Sequence, residues 1–390
     1  MKQAVILAAG EGQRLRPFTV NRPKVMLSIA GRPILGYVVE ALAKNGIRNI
    51  VMVVGYRKDQ IFDYFGSGER FDVEITYVTQ ERQLGTAHAL VQAQGVIADE
   101  FLLLLGDNLI EAETIAKFVG VAPEAVLVKK TDNPKRYGVV DIKDGEVQSI
   151  TEKPEEAGTN IISTGIYAFS KEIFRFIEPE LDVPAAVNKM IAQGETIKVA
   201  LTDGVWLDAV YPWDILSLND AVLRRVQPNL SGTMESNVAV KGRVAIGENT
   251  VLRSHSYIAG PAVIGEDCDI GPSVCIQPSS SIGNNVVINP FTVIRNSVIG
   301  DDVNIGPGCI IYNSVIDKGS IIKGQFIACS SLAEVKINGE HYTVDMGVMM
   351  GEGCRLGNNI VAQPGTIIGN YSQVQGKTIS GRLPDRSLVY

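Results

Sequence analysis

The residues best suited to chemistry lie near the N-terminus. An apolar run from Ala4 to Ala8 leads directly into Leu7-Ala-Ala-Gly-Glu-Gly-Gln-Arg-Leu-Arg-Pro-Phe-Thr19, and then into Arg22-Pro-Lys24. Gly10 and Gly12 permit a tight turn that exposes backbone N–H groups to an anion. Arg14 and Lys24 add two cations to the same loop. Two cations on a glycine turn at a strand's end suit a polyphosphate whose negative charge grows during reaction. The loop is not a Walker loop, because no Gly-Lys-Ser/Thr follows, and it lacks the third glycine of the dinucleotide fingerprint.

Three further places could act on the same ligand. Gln80-Glu-Arg-Gln-Leu-Gly85-Thr86 offers a side-chain amide, both donor and acceptor, which suits the edge of a pyrimidine. Gly85 lets backbone approach a flat base. Strand-like Phe101–Leu105 ends in Gly106-Asp107-Asn108, and a carboxylate at a strand's C-terminal end is where a metal ligand would sit. Trp206-Leu-Asp208 supplies a second carboxylate far along the chain.

The elements that must hold these groups divide into two kinds. Over residues 1–226, short aliphatic runs (Ala4–Ala8, Ile50–Val54, Phe101–Leu105, Ala125–Val128, Gly165–Phe169) alternate with helix-like segments such as Ile34–Lys44 and Thr86–Ala93. That pattern predicts an α/β domain, Rossmann-like, with a mixed, mostly parallel sheet covered on both faces. From Val240 an aliphatic residue recurs every six positions, through Ile246, Leu252, Ile258, Ile264, Ile270, Ile276, Ile282 and Ile288 to Ile294. One short step leads to Ile299 and another, after Ile311, to Ile316. The period breaks over 323–348 and resumes at Met350. Four residues after these aliphatics stand mostly small or β-branched residues, such as Thr250, Ser256, Ala262 or Cys268. This is the hexapeptide signature of a parallel β-helix occupying 238–390. Residues 227–237 read as a linker, and Asn338-Gly339 predicts a hairpin inserted near 333–345.

Composition excludes other classes. The net charge of −7 argues against nucleic acid or an anionic membrane as partner. No stretch approaches the roughly 18 apolar residues of a membrane span, and no targeting segment is visible. The five cysteines, with no CxxC pair, predict neither a disulfide scaffold nor a thiolate zinc site, and a cytoplasmic location is expected.

The stretch Leu7–Lys24, followed in order by the motifs at Gln80, Asp107, Tyr137-Gly138, Glu152-Lys153-Pro154, Asn160–Gly165 and Asp208, resembles the sugar-1-phosphate nucleotidylyltransferases. The resemblance covers roughly residues 1–226. It implies that Arg14 and Lys24 neutralise a nucleoside triphosphate attacked at its α-phosphorus. It implies that Leu7, Ala8, Ala9, Gly10 and Gly12 hold the nucleotide, with Gln80, Gly85 and Thr86 at the base. Gly138, Glu152, Lys153, Asn160 and Gly165 fall to the sugar phosphate, and Asp107 and Asp208 to Mg²⁺. Many members continue Asp-Thr-Gly where this chain has Asp208-Ala-Val, which puts nearby substrate contacts in doubt. The implied reaction is in-line displacement by a sugar 1-phosphate on dTTP or UTP, glucose-1-phosphate being the expected sugar, with loss of pyrophosphate.

The second part resembles the left-handed β-helix of the hexapeptide-repeat proteins. Three readings stand. In the first, the β-helix is a structural tail assembling a homo-oligomer, a trimer or higher, and dispensable for turnover. In the second, the chain is a bifunctional N-acetylglucosamine-1-phosphate uridylyltransferase and glucosamine-1-phosphate acetyltransferase. In the third, it is a non-catalytic assembly or regulatory relative, for which eroded phosphate and metal residues would be expected; Arg14, Lys24, Asp107 and Asp208 are all present. Acyl transfer in this family generally uses a histidine base. The chain has three histidines, His88, His255 and His341, and none in Pro307-Gly-Cys-Ile-Ile-Tyr312, where the fused acetyltransferases carry it.

Overall fold

The computed structural model describes residues 1–177, 182–376 and 378–390. The chain divides into two compact units. The first comprises Met1–Glu11, Arg22–Met26 and Ile34–Asp208, and the second Gly12–Asn21, Leu27–Pro33 and Ala209–Tyr390. Among the described residues no helix is long and apolar enough to cross a membrane.

The first unit is built on β1 (Gln3–Ala8), β2 (Asn49–Val54), β3 (Glu74–Thr79), β4 (Glu100–Leu105), β5 (Asn108–Ile110), β6 (Ala125–Lys130), β7 (Gly138–Lys143), β8 (Glu146–Glu152), β9 (Ile161–Ser170), β10 (Lys198–Thr202) and β11 (Trp206–Asp208). Nine of them form one sheet in the order β3-β2-β1-β4-β9-β6-β10-β8-β7, and β5 pairs with β11 apart from it. Pairing is parallel among β1 to β4, and between β6 and β10. Strand β9 joins antiparallel to β4, as β8 does to β7. The Asp144-Gly145 turn, with φ of 53° and 83°, makes that last pair a tight hairpin.

Helices α1 (Ile34–Lys44), α2 (Asp59–Phe65), α3 (Thr86–Gln92), α4 (Ala112–Val119) and α5 (Val183–Ala192) cover the sheet. Ala4 and Ile6 of β1 share one apolar layer with Leu35, Val38, Val39 and Leu42 of α1. Val5 and Leu7 share the other with Ala89 and Leu90 of α3 and Val187 and Met190 of α5. A strand buried on both faces cannot alternate polar and apolar residues, which is why β1 reads as an unbroken aliphatic run.

The second unit is a left-handed parallel β-helix of three sheets, preceded by α6 (Asp214–Leu223). The hexapeptide aliphatics Ile246, Leu252, Ile258, Ile264 and their successors form one continuous core. The short steps have a direct reading. Ile264 pairs with Ile282, eighteen residues on, whereas Ile282 pairs with Ile299, seventeen on. One residue is dropped from a coil without shifting the inward set. Asn249, His255, Asp267, Ser273, Ser279, Asn285 and Phe291 take positive φ at the corners, each just before a small buried residue. Those small residues also satisfy corner carbonyls: Thr250 Oγ1 donates to Gly265 O at 2.7 Å, and Cys268 Sγ to Gly283 O at 3.1 Å.

Two boundaries differ from the sequence reading. The stretch 227–237, expected as a linker, carries short strands at Asn229–Leu230 and Thr233–Met234, which pair with Ala245–Ile246 and Val251–Leu252 as the first coil. Their exposed faces hide the hexapeptide pattern, since Asn229, Leu230, Thr233 and Met234 all lie outside the core. The hairpin spans Ser331–Ile337 and Glu340–Met346, with Asn338 and Gly339 both at positive φ.

The cysteines follow the packing. Cys268, Cys309 and Cys354 are buried free thiols, and Cys329 is exposed. Burial pushes the first two thiols up, and Cys354 to about 12. Because the thiolate is the nucleophile, an alkylating reagent at pH 8 should modify Cys329 in the native protein and reach Cys268, Cys309 and Cys354 only after denaturation. Peptide mass spectrometry reads the result; native labelling of Cys354 would contradict this packing.

Candidate active site

Strand order reverses at β1, which lies between β2 and β4. Such a switch point opens a crevice beyond the strands' carboxyl ends. Here those ends are tied together. Gly106 N–H donates to Leu7 O at 2.9 Å, and Tyr56 N–H to Ala9 O at 3.2 Å. A Cβ on Gly106 would stand 3.2 Å from Leu7 O and 3.1 Å from Val25 Cγ1, so glycine is what lets the β4 end close against β1. Leu7, Ala8 and Ala9 are buried there, and Gly10 is exposed immediately beyond them.

The charged groups gather at this end. Lys24 Nζ forms an ion pair with Asp107 Oδ2, both side chains being about four-fifths buried. In the β5–β11 ribbon Asp208 lies directly opposite Asn108, so Asp107 and Asp208 reach the same end although a hundred residues separate them. Asn108 is buried and donates through Nδ2 to Thr164 O at 3.1 Å. Beside it Gly165 has φ of +74°, and a Cβ there would stand 2.7 Å from Leu105 Cδ1. The backbone at Gly165 therefore presses on the end of β4.

Asp208 also connects to the opposite edge of the sheet. Tyr137 Oη donates to Asp208 Oδ1 at 2.9 Å. The next residue, Gly138, pairs with Glu152, and a Cβ on it would meet Glu152 Oε2 at 3.0 Å. Lys153 N–H donates to Tyr137 O at 3.0 Å, and Lys153 Nζ lies 3.3 Å from Glu152 Oε1. Thus Lys24, Asp107, Asn108, Gly165, Asp208, Tyr137, Gly138, Glu152 and Lys153 form one chain of contacts. Asn160 lies just before β9, exposed, with its carbonyl accepting from Thr131 N–H.

Gln80 follows β3 and is almost wholly buried. Its Nε2 donates to Gly85 O at 3.1 Å and to His88 Nδ1 at 2.9 Å. Both amide protons are then engaged by the loop, and Oε1 is the group it can offer as acceptor. Thr86 Oγ1 accepts from Val183 N–H at 3.0 Å, so its hydroxyl secures the start of α5.

Gly12 and Arg14 belong to the second unit. Gly12 takes φ of 75° and opens a short 3₁₀ turn, Gln13–Leu15. Leu15, Pro17, Phe18 and Thr19 are buried while Arg14 is exposed. Tyr137, Asn108 and His88 are the contributors that motif reading passed over. Tyr137 carried a signal in its place before Gly138. The other two act through partners distant in sequence or hidden in a helix.

Comparison with known proteins identifies the family of this chain. The nucleotidyl transferase family matches residues 3–224, and a GMPPB C-terminal domain matches residues 258–335. "Bifunctional protein GlmU" of Methanococcus vannielii is 32% identical, over 99% of this chain and 97% of its own. A "bifunctional sugar-1-phosphate nucleotidylyltransferase/acetyltransferase" of Sulfurisphaera tokodaii is 31% identical over 97% of both chains. The "glucose-1-phosphate thymidylyltransferase" of Streptomyces antibioticus is 34% identical over 73% of this chain and 83% of its own. Among solved structures, a putative glucose-1-phosphate thymidylyltransferase from Bacillus anthracis superposes with a TM-score of 0.53 at 27% identity, covering 58% of this chain and 97% of its own. The chain belongs to the nucleotidyl transferase family and, within it, to the sugar-1-phosphate nucleotidylyltransferases.

Proposed function

We propose that the enzyme transfers a nucleotidyl group from dTTP or UTP to a sugar 1-phosphate, with glucose-1-phosphate as the first candidate. The observation that carries this reading is the Lys24–Asp107 pair at the end of β4, with Asp208 brought alongside by the β5–β11 ribbon. A sugar phosphate oxygen attacks the α-phosphorus in line, a P–O bond forms, and pyrophosphate departs with the electrons of the bond that breaks. No general base is required, since the attacking oxygen is already anionic. Lys24 and Arg14 neutralise charge on the triphosphate; Leu7 to Gly12 hold it by backbone. Gln80 Oε1 is suited to accept the ring N–H shared by uracil and thymine, and this leaves the two bases equivalent. Glu152 accepts sugar hydroxyls, Lys153 pairs with the sugar phosphate, and Asn160, Gly138 and Gly165 shape its edge.

The residues present fit Mg²⁺. Two carboxylates brought to one ribbon end suit a cation that takes one or two carboxylates and fills its shell with phosphates and water. Asp107 and Asp208 would hold it, and its chemistry when bound is to offset charge on the phosphates. Residues 1–226 then supply the groups that touch substrate, and the β-helix also assembles a cytoplasmic homo-oligomer.

The bifunctional relatives support a second reading, with acetyl transfer on the β-helix. It ranks second because His255 occupies a corner of the helix, 3.4 Å from Asn237 Nδ2, and His341 pairs with Lys336 in the exposed hairpin. Release of CoA from acetyl-CoA with glucosamine-1-phosphate would promote it.

Two experiments bear on the first reading. Pyrophosphate release should be seen with dTTP or UTP and not with ATP or GTP, across glucose-, N-acetylglucosamine- and mannose-1-phosphate, and should vanish in EDTA. A purine preference would remove Gln80 from its role. Lys24→Ala should lower turnover by about 10²–10³-fold while unfolding stays cooperative. Near-normal turnover would remove Lys24 from the mechanism.

A further inference from the structure

The β-helix grips the loop that carries Arg14. Within the second unit, Asn370 Nδ2 donates to Pro17 O at 3.0 Å, and Asn21 Nδ2 donates to Glu352 Oε1 at 2.6 Å. Arg382 Nη2 donates to Arg16 O at 3.2 Å. Asn370 and Glu352 are buried, and they join adjacent coils: Glu352 N–H donates to Asn370 Oδ1 at 2.8 Å, while Tyr371 Oη donates to Glu352 Oε1.

The same corner recurs elsewhere in the helix with a simpler duty. Glu266 N–H donates to Asn284 Oδ1, Asn284 N–H to Asp301 Oδ1, and Asn370 N–H to Asp385 Oδ1. This ladder needs only an acceptor, so aspartate serves as well as asparagine. At 370 the amide also supplies a donor, and that donor reaches the Arg14 loop. The loop is held within itself too: Thr19 Oγ1 donates to Gly12 O at 2.7 Å, and Leu15 and Phe18 are buried.

The downstream flank of Lys24 is held too. Ala30 N–H donates to Asn219 Oδ1 at 2.9 Å, and the wholly buried Asn219 binds Ser279 O and Ser281 Oγ of the β-helix.

We propose that Asn370 and Glu352 are positioning residues for nucleotidyl transfer, acting through the loop Gly12–Asn21 that presents Arg14. The β-helix is then part of the catalytic apparatus and not a dispensable tail. This rests on the reading that Arg14 serves the triphosphate. A phosphoryl-transfer enzyme without covalent chemistry gains its rate from placement, and small displacements of a charged group are expensive.

Steady-state kinetics of the full-length enzyme test it. Asn370→Ala and Glu352→Ala should each lower kcat/KM for the triphosphate by about 10–100-fold and leave KM for the sugar phosphate unchanged. Glu352→Gln, which keeps the acceptor for Asn21, should recover to within about threefold of wild type. Asn284→Ala removes an equivalent ladder bond with no loop partner and should stay within about twofold. Asn21→Asp, which leaves the β-helix sequence intact, should impair like Asn370→Ala. Arg14→Ala combined with Asn370→Ala should be no worse than Arg14→Ala alone. If Arg14→Ala is damaging but Asn370→Ala and Asn21→Asp are near wild type, the positioning role is overturned and the Arg14 reading survives. If Arg14→Ala itself is near wild type, both fall, because the loop then has nothing to position.

Discussion

Everything at the candidate site depends on keeping like and unlike charges in a crevice that is only partly wet. Lys24 and Asp107 are about four-fifths buried, and neither could be left there alone without a penalty of several kcal/mol. Together they are tolerable, and the pair fixes where positive charge stands before any phosphate arrives. The backbone must meet at that spot for the pair to exist. The Gly106–Leu7 hydrogen bond, the glycine contact with Val25 and the parallel register Leu7↔Leu105 are the means. Fold and site are therefore one constraint, expressed first as strand pairing and then as electrostatics.

Much of this was legible in the sequence because chemistry and periodicity leave different marks. Arg14, Lys24 and the two glycines stand out by type on a short loop. The six-residue period stands out by repetition, and even its two short steps map onto coils that are one residue shorter. What stayed hidden shares one property: it depends on pairing between distant segments. Asn108 opposite Asp208 and Tyr137 on Asp208 follow from antiparallel register and side-chain reach, which no local window contains. The first coil was read as a linker because its strands expose residues that elsewhere in the helix point inward. Thr86, expected at the nucleotide, also accepts from Val183 N–H across ninety-seven residues, a contact no local window contains.

Under the proposed reading Gln80 would be both structural and specific. An amide that gave away all its groups to the loop could read nothing; one with no internal partner would be free to rotate and read poorly. Here the two Nε2 protons lock onto Gly85 O and His88 Nδ1, which orients the carbonyl oxygen. A locked acceptor discriminates because a mismatched base would leave it buried and unpaired. On the proposed reading such an acceptor would separate pyrimidines that carry a ring N–H from cytosine, which does not carry one there, and would leave uracil and thymine equivalent.

A β-helix can anchor a loop more firmly than an α/β strand end can. An α/β strand end offers loops, and loops are the least rigid part of such a fold. A solenoid coil is fastened above and below by its neighbours, so a side chain at its corner has little freedom. Asn370, tied to Glu352 N–H on one side and Asp385 on the other, is such a side chain. An anchor of this kind transfers rigidity to whatever it holds, and it holds the carbonyl of Pro17, three residues from Arg14. The unevenness of the hexapeptide pattern then acquires a cause. Buried polar residues interrupt an otherwise apolar interior here, and at Glu352 and Asn370 their partners include the Gly12–Asn21 loop.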